Sequence, residues 1–236
     1  SDILIGYLYY FLLTIINFML NWNTINTVLL DMDGTLLDLN FDNHFWLEFV
    51  PQRYASLRGL SLNQSKQVLQ PLFKSMEGRL EWYCLDYWSE QLDLDIAGLK
   101  AEISELISVL PHVTEFLSAL QQSNKQVFLV TNAHPDSLSL KMEKTCLRPF
   151  FNDIICSHHY GFAKENQQFW NLFQQDKHWH NHDTLMIDDS LAVLRSAQTF
   201  GVQQLIAINK PDSQKQARNI TEFPAVLDFR ELLPIS

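Results

Sequence analysis

The chain holds 236 residues, 47% of them hydrophobic, with 27 acidic against 17 basic side chains and a formal net charge of -10. That length and apolar content support one solid core plus a smaller satellite domain. The acidic balance, with no basic stripe to overturn it, argues against a nucleic-acid partner, because such binding leans on many Lys and Arg contacts. Cys84, Cys146 and Cys156 follow no metal or disulfide spacing, which predicts buried thiols in a reducing compartment.

The first segment, residues 1–20, is an apolar leader. From Ile3 to Leu20 it is long enough to cross a bilayer. Asp2 is its only charge, no Lys or Arg flanks it, and Thr14 and Asn17 interrupt it. Three readings stay open: a membrane anchor, an apolar helix packed on the body or a partner, and a start-site artefact ahead of Met19. The last two are preferred to a membrane role.

Thr27-Val28-Leu29-Leu30 reads as a short buried strand that runs straight into Asp31-Met32-Asp33-Gly34-Thr35-Leu36. Two carboxylates two residues apart at a strand's end are chemistry: one can attack as a nucleophile, the other can pass a proton. Gly34 lets the chain turn where a side chain would crowd it. From there to about Leu110 the pattern is helical. Phe45, Trp46, Phe49, Val50, Tyr54 and Leu57 form a stripe with Pro51 as a kink or restart. Ser61 caps a helix that buries Leu69, Leu72 and Phe73. Trp82 to Trp88 continues into a third helix, and Ile96 to Leu110 carries a fourth. These helices, residues 38–107, are predicted to form a cap inserted into a core of residues 21–37 and 108–236.

Beyond Pro111, placed in the first turn of a helix through Val113 and Leu120, strands and helices alternate. Strands are predicted at Gln126 to Val130, Asp153 to Cys156, Thr184 to Asp188 and Gln204 to Ile208, with helices at Ser137 to Cys146, Glu165 to Gln175 and Leu191 to Phe200. Apolar strands between amphipathic helices signal an α/β fold, a three-layer Rossmann-like parallel sheet covered on both faces. Its chemistry then lies beyond the carboxyl ends of the strands.

Those ends are polar: Asp31 and Asp33, Thr131-Asn132, Lys164 after the third, and Asp188-Asp189-Ser190. Singly, each could cap a helix; as a set they suit phosphoryl transfer. Clustered carboxylates call for a cation, and Mg²⁺ binds through one or two carboxylates plus phosphate. Lys164 offers a positive charge and Thr131 a hydroxyl for phosphoryl oxygens.

On these four motifs the chain resembles the haloacid dehalogenase-like hydrolase superfamily, in the branch with a helical cap after the first strand. Within it, Phe41-Asp42-Asn43-His44, Leu85-Asp86-Tyr87-Trp88, Val130 to Pro135 and Lys164-Glu165-Asn166 are similar to bacterial GMP/IMP 5'-nucleotidases. Many superfamily members carry proline where this chain has Glu165. The resemblance implies that Asp31 becomes an aspartyl-phosphate, and that Asp33 acts as acid then base while its carbonyl touches Mg²⁺. It also implies that Asp189 and Asp188 ligate the metal, that Thr131 and Asn132 hold the phosphoryl group, and that Lys164 bridges it to the nucleophile. The second acid, Asp33, argues against dehalogenation.

Asn43, His44 and His134 are the candidates for reading the leaving group. Trp46 is taken mainly as cap packing, and Arg53 and Tyr54 as equally suited to substrate contact or to an ion pair and a packed ring. His178, His180 and His182 alternate but read as a solvated turn rather than zinc ligands. The implied protein is a cytoplasmic Mg²⁺-dependent phosphomonoesterase, monomer or homodimer, acting on a small phosphorylated metabolite such as a purine nucleoside monophosphate. A sugar-phosphate or phosphoglycolate phosphatase, and a membrane-tethered or partner-binding protein that keeps the fold, are the alternatives.

Overall fold

The computed structural model describes residues 20–235; the expectation for the apolar leader lies outside the described residues, save for Leu20. Strand β1 (Thr27–Leu30) is buried along its whole length, as expected of a central strand packed on both faces. A tight loop follows, closed by the Gly34 amide on the Leu37 carbonyl at 2.7 Å. The chain then enters α1 (Asn40–His44), a wider π turn (Phe45–Phe49) and α2 (Val50–Arg58). Pro51 sits in the first turn of α2. Its missing N–H breaks the regular ladder there, and the widened turn absorbs the break.

The cap continues as α3 (Leu62–Met76), α4 (Leu80–Tyr83), α5 (Leu85–Leu92) and α6 (Ile96–Glu102). Ser61 and Gln64 form a reciprocal capping box at the start of α3. Two expectations change here. Trp82 to Trp88 is not one helix, because Cys84 is extended (φ -85°, ψ 112°) and its sulfur accepts the Tyr87 amide in capping α5. The helix expected to reach Leu110 ends at Glu102; after a short turn at Ser104–Leu106 the chain runs back to the core, where Val109 bridges Leu37. The outgoing and returning segments are tied together, Asp38 N–H to Ser108 C=O and Leu110 N–H to Leu36 C=O, both at 2.9 Å. That tie makes a two-strand hinge.

The core resumes with α7 (Val113–Gln122), β2 (Gln126–Thr131), α8 (Pro135–Thr145), β3 (Asp153–Cys156), α9 (Gln167–Lys177), β4 (Thr184–Asp188), α10 (Leu191–Phe200), β5 (Gln204–Ile208) and β6 (Ala225–Val226). Pro111 precedes α7 instead of entering it, since His112 takes the left-handed conformation (φ 63°) at its N-cap. The six strands are all parallel, in the order β3-β2-β1-β4-β5-β6. Leu30 pairs with Leu129 on one side and Ile187 on the other, so the carboxyl ends of β1, β2 and β4 lie side by side. The cysteines also differ from expectation. All three are free, but only Cys156 is buried; Cys146 is exposed at the left-handed C-cap of α8, and Cys84 is half-buried at its cap position. No helix among the described residues is long and apolar enough to cross a membrane.

One apolar cluster forms on each face of the sheet, and a third fills the cap around Phe41, Phe45, Phe73, Leu85 and Trp88. Trp88 is fully buried, edge-on to Phe73 at 5.1 Å, and its indole N–H donates to the Trp82 carbonyl at 2.9 Å. Replacing it removes both the packing and the satisfied polar handle. We expect Trp88→Ala to destabilise the protein by about 3–5 kcal/mol, read by urea denaturation followed by circular dichroism. A change below about 1 kcal/mol would show that Trp88 is not the keystone of the cap cluster.

Candidate active site

Parallel register brings separated carboxylates together. Asp31 follows β1, its amide donating to the Ile187 carbonyl of β4 at 3.0 Å, and Asp188 ends β4 beside it. Between them lies the Lys164 ammonium, which donates to Asp31 Oδ1 at 2.6 Å, Asp188 Oδ2 at 2.8 Å and the Val130 carbonyl at 3.0 Å. All three N–H bonds are therefore used, and all three side chains are buried. The lysine loop is pinned twice more. The Lys164 amide donates to Asn132 Oδ1 at 2.9 Å, and its carbonyl accepts the Trp170 indole N–H at 2.8 Å.

Asp189 stands on the open side of this group. Arg218 holds it by donating to its carbonyl at 2.8 Å, with the guanidinium 3.7 Å from Asp189 Oδ2. Gly34 makes that placement possible. At φ +84° it adopts a conformation that disfavours side chains, and a Cβ there would lie 2.8 Å from Asp189 Cγ. The sharp turn read from the sequence thus also clears space for a carboxylate.

Burial and mutual repulsion dominate the electrostatics of these carboxyls. Burial, then repulsion from Asp188, pushes the Asp31 carboxyl up to about 6 despite Lys164. Burial also raises Asp188 against the pull of Lys164, and burial together with Asp188 and Asp31 drives Asp189 well above the usual carboxylate range. Lys164 is itself held well above its usual value, since Asp188 and Asp31 outweigh the cost of burial. Oxygens of Asp31, Asp188 and Asp189 lie within 4.8 Å of one another. Asp31 Oδ2 is buried with no hydrogen-bond partner. An all-oxygen set with one orphaned carboxylate atom fits a hard divalent cation such as Mg²⁺.

Asp33 faces the same cavity from the turn. Burial raises its carboxyl to about 6, outweighing the nearby Lys141 ammonium, which donates to Asp33 Oδ1 at 2.6 Å. Lys141 (α8) also donates to Asp42 Oδ2 (α1), and Lys100 (α6) donates to Asp42 Oδ1, both at 2.6 Å. Burial opposes ionisation of Asp42, but Lys100 and Lys141 hold its carboxyl well below the usual range. Sequence reasoning assigned no role to Asp42, Lys100 or Lys141.

Thr131 and Asn132 both line the cavity. Thr131 Oγ1 accepts the Ala133 amide at 3.0 Å, which leaves the hydroxyl proton free to donate. The Asn132 side chain is committed to structure: beyond its bond to the Lys164 amide, its Nδ2 donates to Glu165 Oε2 at 3.0 Å. Glu165 Oε1 in turn accepts the Tyr83 hydroxyl of the cap at 2.7 Å. Glu165 thus joins cap to core.

The cavity between core and cap measures about 530 Å³, enough for a small metabolite. Trp46, Phe73, Trp82 and Tyr83 line it from the cap, with Trp46 and Trp82 stacked at 26°. Trp46 is thus both cap packing and cavity wall. Asn43 lines the cavity and donates to Asp212 Oδ2 at 2.7 Å. His134 caps α8 at the cavity wall, 3.5 Å from Asp86 and edge-on to His158.

Three groups weighed from the sequence lie elsewhere, the alternating histidines in an exposed turn as read. His44 is not among the residues that line the cavity, although its neighbours Asp42 and Asn43 are. Arg53 pairs with Glu102 and lies over the Phe49 ring, and the Tyr54 ring carries the Arg58 guanidinium, so neither reaches the cavity. His178, His180 and His182 gather near the amino end of β4, away from the carboxylates.

Residues 25–201 match the haloacid dehalogenase-like hydrolase family. The chain is 38% identical over 213 residues to the GMP/IMP nucleotidase YrfG of Escherichia coli, covering 90% of this chain and 96% of that protein. It is 24% identical to the pyrophosphatase PpaX of Oceanobacillus iheyensis, over 76% of this chain and 82% of that protein. Among solved structures, a HAD phosphatase from Thermococcus onnurineus superposes with a TM-score of 0.73 at 20% identity, over 88% of this chain and 96% of that one. With family match, fold and strand-end residues in agreement, the chain belongs to the haloacid dehalogenase-like hydrolases.

Proposed function

We propose that this protein is a Mg²⁺-dependent phosphomonoesterase acting through an aspartyl-phosphate, with purine nucleoside 5'-monophosphates such as GMP and IMP as substrates, working in the cytoplasm. The observation that carries the reading is Asp31. It is a buried carboxylate with one oxygen held by Lys164 and the other unbonded, at the meeting point of three strand ends. The nucleotide preference rests on the 38% identity to a GMP/IMP nucleotidase across nearly its whole length, and on an aromatic cap wall suited to stacking a base.

In this reading the substrate's phosphoryl group lies against Asp31, with the Thr131 hydroxyl donating to one of its oxygens and the Lys164 charge close behind the nucleophile. Asp31 attacks phosphorus, the ester P–O bond breaks, and Asp33 gives its proton to the departing oxygen. Asp33, now a carboxylate, takes a proton from a water that attacks the aspartyl-phosphate; phosphate leaves and Asp31 is restored. Asp31, Asp188 and Asp189 with the Asp33 carbonyl would hold a divalent ion, whose charge would offset the crowded carboxylates and phosphoryl oxygens. Lys164 keeps the nucleophile aimed, and the cap limits bulk water.

The test is release of inorganic phosphate from a panel of nucleoside monophosphates, sugar phosphates and phosphoglycolate with added Mg²⁺. GMP and IMP should lead it. Preference for a sugar phosphate would keep the chemistry and discard the nucleotide reading. Asp31→Asn should lower turnover by about a thousandfold or more while its circular dichroism spectrum stays that of the parent; normal turnover would remove Asp31 as nucleophile. Chelation by EDTA should abolish activity and Mg²⁺ restore it. Asp189→Asn should raise the Mg²⁺ concentration for half-maximal rate by about tenfold or more. Activity indifferent to chelator would discard the metal.

A further inference from the structure

The reaction just described makes no use of Lys141, although this ammonium is buried at the cavity wall and costs solvation there. A helix face turned toward a core is more cheaply filled by methionine or leucine. The cost is offset by two carboxylates, Asp33 and Asp42, each 2.6 Å from Nζ. Lysine has a flexible stem and a rotatable head; here the stem is enclosed, the head lies 5.3 Å from the Phe41 ring centroid, and Lys100 fixes Asp42 from the cap side.

Among the described residues, Lys141 is the sole hydrogen-bond partner of the Asp33 carboxyl. Without it nothing polar would choose between the rotamers of that side chain. With it, Oδ1 is tethered and Oδ2 is left unbonded in a residue that lines the cavity.

From this geometry we propose that Lys141 is a positioning residue. It aims the Asp33 carboxyl for proton transfer, and Asp42 with Lys100 braces it from the cap. The inference rests on the proposed roles of Asp31 and Asp33. In the first step the bond from phosphorus to the leaving oxygen breaks as the bond from Asp31 forms. An alkoxide leaving group takes the Asp33 proton, whereas p-nitrophenolate departs as a stable anion and needs none. In the second step both substrates share the same aspartyl-phosphate, whose hydrolysis hands a water proton to Asp33. Misaiming Asp33 should therefore harm the two substrates unequally, which a purely structural role would not do.

The experiment compares Lys141→Met with the parent on an alkyl phosphate that the parent hydrolyses (GMP or ribose 5-phosphate) and on p-nitrophenyl phosphate. For the alkyl ester, kcat/KM should fall about a hundredfold or more, the scale of a lost general acid. For p-nitrophenyl phosphate it should fall less than about fivefold, with a burst of nitrophenolate before a slowed steady state as the phosphoenzyme accumulates. Equal losses on both substrates, or no loss on the alkyl ester, would overturn the inference. Asp33→Asn, assayed alongside, should show the same split; its failure to do so would overturn the acid–base reading of Asp33 instead. Should Lys141→Met not fold, Asp42→Asn removes the brace while keeping the Asp33–Lys141 contact. It should show a split of the same sign, about five- to twentyfold. A uniform loss there would equally overturn the inference.

Discussion

The Lys164 ammonium holds Asp31 and Asp188 at 2.6 and 2.8 Å in a region almost closed to water. The strand register forces these two carboxylates together: Leu30 is level with Ile187, so the residues that follow emerge side by side. Left alone they would repel at low dielectric and one would take up a proton. A single cation with three donors offsets part of that repulsion, and its own position is over-determined by Val130, Asn132 and Trp170. Because Lys164 occupies one oxygen of Asp31, the other is left without a hydrogen-bond partner. The direction of that free oxygen thus follows from how a buried charge is neutralised.

That constraint explains which parts of the molecule were legible in the sequence. Runs such as Thr27-Val28-Leu29-Leu30 and Thr184-Leu185-Met186-Ile187 can only be strands buried on both faces, and a polar residue ending such a run has nowhere to be but the active edge. Asp31, Thr131 and Asp188 were visible for that reason, and Lys164, in the loop beyond β3, only as one of their set. The cap was harder to read. Helical periodicity is the same whether Trp82 to Trp88 is one helix or two; an extended Cys84 decides it, and nothing local marks that residue. His112, left-handed before α7, hides in the same way behind Pro111.

Lys141 illustrates the deeper limit. Within α8 a lysine one turn after Ser137 reads as a solvated side chain, and only the fold shows that both are buried. Its partners are 108 and 99 positions away in the chain. No periodicity carries that information, because the pairing depends on how the cap sits on the core. The one local hint was compositional: Asp42 stands between Phe41 and Phe45, two of the most deeply buried rings of the cap, where an unpaired carboxylate would be untenable. Such an acid implies a buried cation, but not which one.

The same networks bear on how the cap can move. Its apolar cluster is its own, meeting the core cluster only at Ile107 among the residues the two share. What joins cap to core across the cavity is polar: Asp42 to Lys141 on one wall, Tyr83 to Glu165 on the other. Separating apolar surfaces costs about 25 cal/mol per Å² throughout the motion. Polar contacts behave differently, since groups uncovered by a separation regain hydration in place of the contact they lose. Directional contacts select one closed pose, while solvation keeps the open one within reach. The two connections between cap and core are paired with each other at Leu36–Asp38 and Ser108–Leu110. The cap is therefore held over the cavity by directional contacts, an ion pair on one wall and a hydrogen bond on the other, rather than by a continuous apolar seam.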